Sequence, residues 1–195
     1  MFEDAVEPHE PFAVWFAEAR RTEPDVPDAM QLATADATGR PSVRTVLLKE
    51  AGPEGWAFYT HYASPKSRDL TTRPYAAAVI HWKSLQRQVR VEGPVRRMDQ
   101  EASDRYFASR DRASQLGAWA SVQSEILSGP TDLVRAVEDA ERRFAGLAVP
   151  RPAGWGGWVL TPERFEFWQG RRGRLHDRVQ FTWNQGNWTR ALLAP

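Results

Sequence analysis

The chain has 195 residues, 42% hydrophobic and 26% charged, with a formal net charge of +1. These values suit one compact soluble domain whose core needs no covalent staples, and they exclude a disordered or fibrous chain. The absence of cysteine excludes disulfides, thiolate zinc sites, iron–sulfur clusters and cysteine nucleophiles, and near-zero charge argues against broad nucleic-acid binding.

Taken in chain order, Pro11 to Arg21 places Phe12, Trp15, Phe16 and Ala19 on one helical face, while residues 1–10 are expected to be a flexible N-terminal segment. Met30 to Ala35 and Ser42 to Lys49 read as antiparallel strands around the turn Ala37-Thr38-Gly39-Arg40-Pro41. Trp56 to Thr60 and Tyr75 to Trp82 are two more strands, separated by a short helix over Lys66 to Thr72. Gln88 to Arg97 alternates Val89, Val91 and Val95 with arginines, and Gly93-Pro94 marks a bulge or an edge.

The period then changes. Asp99 is the expected N-cap of a helix to about Ser109, followed by a helix over Ala113 to Ala120. Thr131 to Phe144 carries the stripe Leu133, Val137, Ala140 and Phe144. Pro150 to Gly157 reads as a loop. Strands return at Trp158 to Leu160, Arg164 to Trp168, Val179 to Trp183 and Trp188 to Leu192, the last two joined by the turn Asn184-Gln185-Gly186-Asn187. This order is α+β: an antiparallel sheet with peripheral helices, expected to curl into a barrel so that fewer edges are exposed, in a single domain over 1–195. The acidic start Met1-Phe2-Glu3-Asp4 is unlike a secretory n-region, and the longest apolar run, Ala76 to Ile80, is too short to span a bilayer. A cytoplasmic protein without membrane partners is expected.

Nucleotide-binding glycine loops, a zinc-protease helix and a nucleophile elbow are absent, and His9, His61, His81 and His176 are scattered, so no metal site is expected. Four clusters remain. Arg174, His176 and Arg178 share one face if the backbone there is extended, which suits a phosphate or an electron-rich ring; a solvated basic hairpin reads from the same residues. Arg44 to Lys49 sends Arg44, Val46 and Leu48 one way and Thr45, Leu47 and Lys49 the other, as an edge strand with exposed charges also would. Tyr59-Thr60 precedes Ser64-Pro65-Lys66-Ser67-Arg68, hydroxyls and cations at a helix N-terminus. Tyr106, Arg110 and Ser114 are spaced by four, so one helical face can present a ring, a guanidinium and a hydroxyl, although Tyr106 reads equally as core. Several phosphate-competent clusters in a near-neutral chain suggest more than one phosphorylated ligand.

These residues also carry a resemblance. Arg44 to Lys49, Arg87-Gln88-Val89, Ser114-Gln115-Leu116-Gly117-Ala118-Trp119, Gln123-Ser124, Glu166-Phe167-Trp168-Gln169-Gly170 and Arg174-Leu175-His176-Asp177-Arg178 stand in the order found in pyridoxine (pyridoxamine) 5′-phosphate oxidases. The chain resembles that family from Phe12 to Pro195. The resemblance implies a homodimeric split β-barrel with FMN at the subunit interface, oxidising pyridoxine or pyridoxamine 5′-phosphate to pyridoxal 5′-phosphate with dioxygen and releasing hydrogen peroxide. It implies FMN contacts from Arg44, Thr45, Val46, Leu47, Leu48, Lys49, Tyr59, Thr60 and Lys66. Other parts of the dimer would add Gln88, Gln123, Ser124, Trp168 and Arg178. It places the substrate phosphate at Lys49, Tyr106, Arg110 and Ser114, with Arg174 and His176 as the catalytic pair flanking the pyridine ring.

Three departures from the family pattern stand out. Ser64-Pro65-Lys66 replaces Ser-Arg-Lys, no Arg or Tyr precedes Phe12, and His81-Trp82 replaces Pro-Trp. Related flavin oxidases acting on phenazine precursors are the alternative, as is a non-catalytic flavin or pyridoxal phosphate binder. The phenazine enzymes tend to lose the substrate-phosphate residues, all of which remain here.

Overall fold

Period-two alternation dominates a computed structural model that describes Phe2 and residues 4–195; Met1 and Glu3 of the acidic start lie outside the described residues. The first half contains α1 (His9–Thr22), β1 (Ala29–Ala35), β2 (Pro41–Leu47), β3 (Glu50–Gly52), β4 (Gly55–His61), α2 (Pro65–Thr72), β5 (Tyr75–Trp82) and β6 (Arg87–Arg97). Three helices follow: α3 (Gln100–Ser109), α4 (Arg112–Ala120) and α5 (Pro130–Arg143). The chain ends with β7 (Trp155–Leu160), β8 (Arg164–Gln169), β9 (Asp177–Asn184) and β10 (Asn187–Leu193).

All strands join one antiparallel sheet. Its main path runs β10-β9-β8-β6-β5-β1-β2, and a branch carries β7, β4 and β3. β6 is the junction: Arg87 to Glu92 pairs with β8, whereas Val95 to Arg97 pairs with β7. The change of partner falls at Gly93-Pro94, where a Cβ on Gly93 would run into the carbonyl oxygen of Thr161. Only glycine permits that approach of two backbones, which accounts for the irregularity read there. The branch curls the sheet over its core, as expected of a barrel. Among the described residues no ladder joins β2 to β4, so the barrel stays split along that line.

The main core takes one side of the central strands: Met30 and Leu32 from β1, Val89 and Val91 from β6, Phe165 and Phe167 from β8, and Val179 and Phe181 from β9. Helix α1 closes it with Phe12, Trp15 and Ala19, and Phe2 sets its ring against Trp15 and Phe167, 5.1 Å from each. A smaller cluster of Phe107, Leu116, Ala140, Phe144, Val149 and Trp155 joins α3, α4, α5 and β7. Asp99 caps α3 by accepting from the Ala102 N–H, and Asp111 caps α4 by accepting from the Ser114 N–H. The β9–β10 hairpin turns on Gln185 and Gly186, both with positive φ, as a two-residue turn requires.

Three expectations need correction. Residues 155–157 are not loop but the start of β7, buried throughout. Gly156 and Gly157 belong in that strand because Tyr62 and Met98 press on it where side chains would stand. The stripe on α5 is buried only toward its end, at Ala140 and Phe144, and Leu133 is exposed. Between β8 and β9 the backbone is not extended: Arg172–Arg174 form a 3-10 turn with Gly173 and Arg174 at positive φ. The alternation that would place Arg174, His176 and Arg178 on one face therefore does not apply.

Candidate active site

A cleft of about 760 Å³ opens between β2, β4, the start of α2, and helices α3 and α4. That volume suits a ligand of cofactor size. Thirteen of the residues singled out in the sequence line it: Arg44 to Leu47, Lys49, Tyr59, Thr60, Lys66, Tyr106, Arg110, Ser114, Gln123 and Ser124. Among the described residues lining it there is no aspartate or glutamate, whereas Arg44, Lys49, Lys66 and Arg110 are all present.

One group forms around Lys66. Pro65 occupies the first position of α2, where its missing N–H costs nothing, and the first turn holds no acidic residue to offset the helix dipole. The Lys66 ammonium is buried and donates to Thr60 Oγ1 (2.8 Å), Gln123 Oε1 (2.9 Å) and Ser64 Oγ (3.3 Å), all neutral acceptors. Burial, reinforced by the nearby Arg44 guanidinium, lowers the Lys66 pKa to about 8. Thr60 Oγ1 also donates to Gln123 Oε1 at 2.6 Å. Gln123, expected from another part of the dimer, thus meets Thr60 and Lys66 within one chain. Ser124 beside it has φ 72°, an uncommon conformation for a residue with a side chain.

Arg44 is held from behind by two residues that the sequence reading did not single out. Its Nη1 donates to the Leu32 carbonyl (3.1 Å) and to Thr34 Oγ1 (2.8 Å), and Thr34 donates in turn to Asp69 Oδ2 at 2.6 Å. Asp69 lies on α2, so the network ties that helix to β1 and β2. Local pattern could not reveal this, because Thr34 and Asp69 are 35 positions apart.

A second group faces the helices. Tyr59, Tyr106 and Trp155 stack nearly parallel, with Tyr59 and Tyr106 centroids 3.7 Å apart. Burial and the neighbouring Glu50 raise the Tyr59 pKa. The Arg110 guanidinium lies over Trp155 at 4.7 Å, yet its Nη1 is buried without a hydrogen-bond partner. Burial lowers the Arg110 pKa, against the pull of Tyr106 and Asp111. An orphaned buried donor of this kind costs free energy unless a ligand accepts from it. Lys49 is held by Asp28 at 2.9 Å. Trp155 and His61 also line the cleft without a sequence signal for it; Trp155 lies in a Gly-rich stretch whose composition suggests loop but which opens β7.

The other six residues lie elsewhere. Leu48 is in the core. Gln88, Trp168 and Arg178 stand in one row across β6, β8 and β9 on the face away from the core. His176 packs on Trp168 with ring centroids 4.6 Å apart, and its Nδ1 accepts from the Arg171 N–H. Arg174 follows in the adjoining turn. Within one chain the predicted residues other than Leu48 therefore fall into two separate groups.

A split antiparallel barrel with a cation-lined, carboxylate-free cleft defines a ligand-binding protein of the split-barrel class, shaped for anions. Residues 16–144 match the family described as pyridoxamine 5′-phosphate oxidase, and residues 155–195 match the pyridoxine 5′-phosphate oxidase C-terminal dimerisation region. The chain belongs to the pyridoxamine 5′-phosphate oxidase family. It is 48% identical over 196 residues to a pyridoxine/pyridoxamine 5′-phosphate oxidase of Nitrobacter hamburgensis, covering 100% of this chain and 92% of that one. With the oxidase of the same name from Rubrobacter xylanophilus it shares 50% over 189 residues, 97% of this chain and 87% of the other. Among solved structures, PhzG of Burkholderia lata in complex with tetrahydrophenazine-1-carboxylic acid superposes with a TM-score of 0.93 at 28% identity, covering 99% and 95% of the two chains. A pyridoxamine 5′-phosphate oxidase-related, FMN-binding protein of Nostoc punctiforme shares the fold, with a TM-score of 0.78 at 17% identity over 98% and 99%. Among the described residues no helix is long and apolar enough to cross a membrane, and no group of His, Asp and Glu could hold a metal ion.

Proposed function

We propose that this chain is an FMN-dependent oxidase converting pyridoxine or pyridoxamine 5′-phosphate to pyridoxal 5′-phosphate, with dioxygen as acceptor and hydrogen peroxide as product; the amine substrate also consumes water and releases ammonia. The observation that carries the reading is the pair of cationic groups in one carboxylate-free cleft, around Lys66 and around Arg110. Two groups suit two phosphates, one on the cofactor and one on the substrate. The full-length relatives of that name support it.

The residues present fit FMN. Lys66 with its three neutral acceptors, Arg44 and the start of α2 form a donor set for a phosphate dianion, and Thr60, Gln123 and Ser124 border it. Arg44 to Leu47, Lys49 and Tyr59 would line the flavin. The protein is a homodimer in this reading, with FMN at the interface, so that Gln88, Trp168 and Arg178 of the second copy complete the pocket. Bound flavin would supply the two-electron acceptor for hydride leaving C4′ of the substrate and would pass the pair to dioxygen.

The chain's own groups bind and orient. Lys49, Tyr106, Arg110 and Ser114 receive the substrate phosphate, and the Arg110 Nη1 gains the acceptor it lacks. Arg174 and His176 flank the pyridine ring. Because His176 Nδ1 accepts from a backbone N–H, the neutral ring carries its proton on Nε2. Both groups would hold the ring in the orientation from which the hydride departs.

Anaerobic mixing of FMN-loaded protein with pyridoxine or pyridoxamine 5′-phosphate tests the reading. Flavin absorbance is expected to bleach and to return on admitting air. Yellow protein that never bleaches would remove this substrate. The reading that PhzG suggests, a tricyclic carboxylic acid in the same cleft, would then lead if such a compound bleached the flavin.

A further inference from the structure

Glu166 is the one carboxylate buried on the outer side of the sheet among the described residues, with only 6% of its surface exposed. It sits on β8 between two guanidiniums. Its Oε1 accepts from Arg178 Nε and lies 2.9 Å from Arg178 Nη2, while its Oε2 accepts from Arg90 Nη1 at 3.1 Å. Arg90 is fixed in turn by Glu92, whose other oxygen accepts from Arg164. Strand register makes this possible: Arg90, Glu166 and Gln180 form the row next to Gln88, Trp168 and Arg178, so Glu166 reaches diagonally to Arg178.

The consequence for Arg178 is specific. Its Nε and Nη2 are turned to Glu166, and its Nη1 donates to the Ala194 carbonyl at 2.8 Å. A guanidinium has five N–H donors; two of them are committed to hydrogen bonds here and Nη2 is held in the ion pair, which fixes the plane of the group. Without these bonds a long side chain would sample many rotamers, and a ligand would have to order it. Neither oxygen of Glu166 is free for proton transfer, since each already faces a guanidinium.

We propose that Glu166 is a positioning residue for cofactor binding: clamped by Arg90, it holds the Arg178 guanidinium in the one orientation that completes the flavin pocket of the second copy. The proposal rests on the FMN reading above. It differs from a purely structural ion pair in one respect: Glu166 acts on the cofactor only through Arg178.

The experiment is a double-mutant cycle on the FMN dissociation constant, measured by flavin fluorescence on full-length dimeric protein. Glu166→Gln keeps the shape but loses the charge, and is expected to raise the constant about tenfold, equivalent to about 1.4 kcal/mol. Arg178→Ala is expected to raise it by at least as much. In the Arg178→Ala background, Glu166→Gln should change it less than twofold. The same loss in both backgrounds would overturn the proposal, as would a Glu166→Gln constant within twofold of the parent. Should Glu166→Gln fail to form dimers, Arg90→Met releases the clamp from the other side and is expected to give a smaller loss, again absent without Arg178. A loss that persists there would equally overturn it. Parent protein that takes up no FMN would defeat the functional reading and this proposal together, whereas normal uptake with an unchanged Glu166→Gln constant defeats this proposal alone.

Discussion

Replacing Lys66 with methionine is expected to weaken FMN binding by about 100-fold, the scale of losing a buried charge-assisted contact to a dianion and part of its neighbours. Fluorescence titration of the apoprotein measures it. The reason lies in what surrounds the ammonium: three neutral acceptors and a second cation, Arg44, but no carboxylate to compete with a phosphate. The same environment sets a pH dependence. With its pKa lowered to about 8, Lys66 of the unliganded protein loses its proton above that value. FMN affinity should therefore hold steady near pH 7, where the phosphate is already a dianion, and fall as pH rises through about 8. Lys66→Arg, which keeps its charge throughout, should lose that fall. Stability of the unliganded protein moves the other way. Between about pH 8 and the ordinary lysine value of 10.5 the unfolded chain binds the extra proton, so the folded state gains as pH rises through that window. Melting of the parent and Lys66→Met proteins across this range checks the sign: the gain should be absent in the variant.

Arg110→Met is expected to raise the KM for the phosphorylated substrate by about 100-fold, from lost charged hydrogen bonds, with a smaller effect on kcat. It should also stabilise the unliganded protein. The Arg110 Nη1 is buried without an acceptor, a state that costs roughly 1–3 kcal/mol, and methionine can retain much of the packing on Trp155. A net gain of about 1 kcal/mol corresponds to a melting shift of about 3 °C in a chain of this length. Steady-state kinetics and a thermal melt on the same preparation give both numbers. A raised KM with a lowered melting temperature would mean that Arg110 is structural first and a ligand-binding residue second.

Much of the fold was legible because alternation and helical period carry it. β5 runs from Tyr75 to Trp82 as read, and Asp99 caps α3 as its residue type suggests. What escaped was set by distant neighbours. Gly156 and Gly157 look like loop, but they are strand residues made necessary by Tyr62 and Met98. The strand Glu50–Gly52 is too short to show a period and exists because Gly55 to Ala57 lies opposite. The cations of the cleft could be recognised from residue type and spacing. Their supports could not: Thr34, Asp69 and Asp28 act on Arg44 and Lys49 across the fold, with nothing local to mark them. Arg174 is the opposite case: residues two apart share a face only in extended chain, and one turn of positive φ breaks that alternation here.

The predicted residues occupy two separate faces of one chain, a cleft and the outer side of the sheet. On the proposed reading, each face is half of a socket that only a second chain closes. Mass action then makes cofactor and partner mutual stabilisers, because whatever binds the assembled state and not the separated chains draws the equilibrium toward assembly. Dilution should separate unloaded chains at concentrations where loaded ones stay paired, and a shortage of flavin would be felt as lost quaternary structure as well as lost colour.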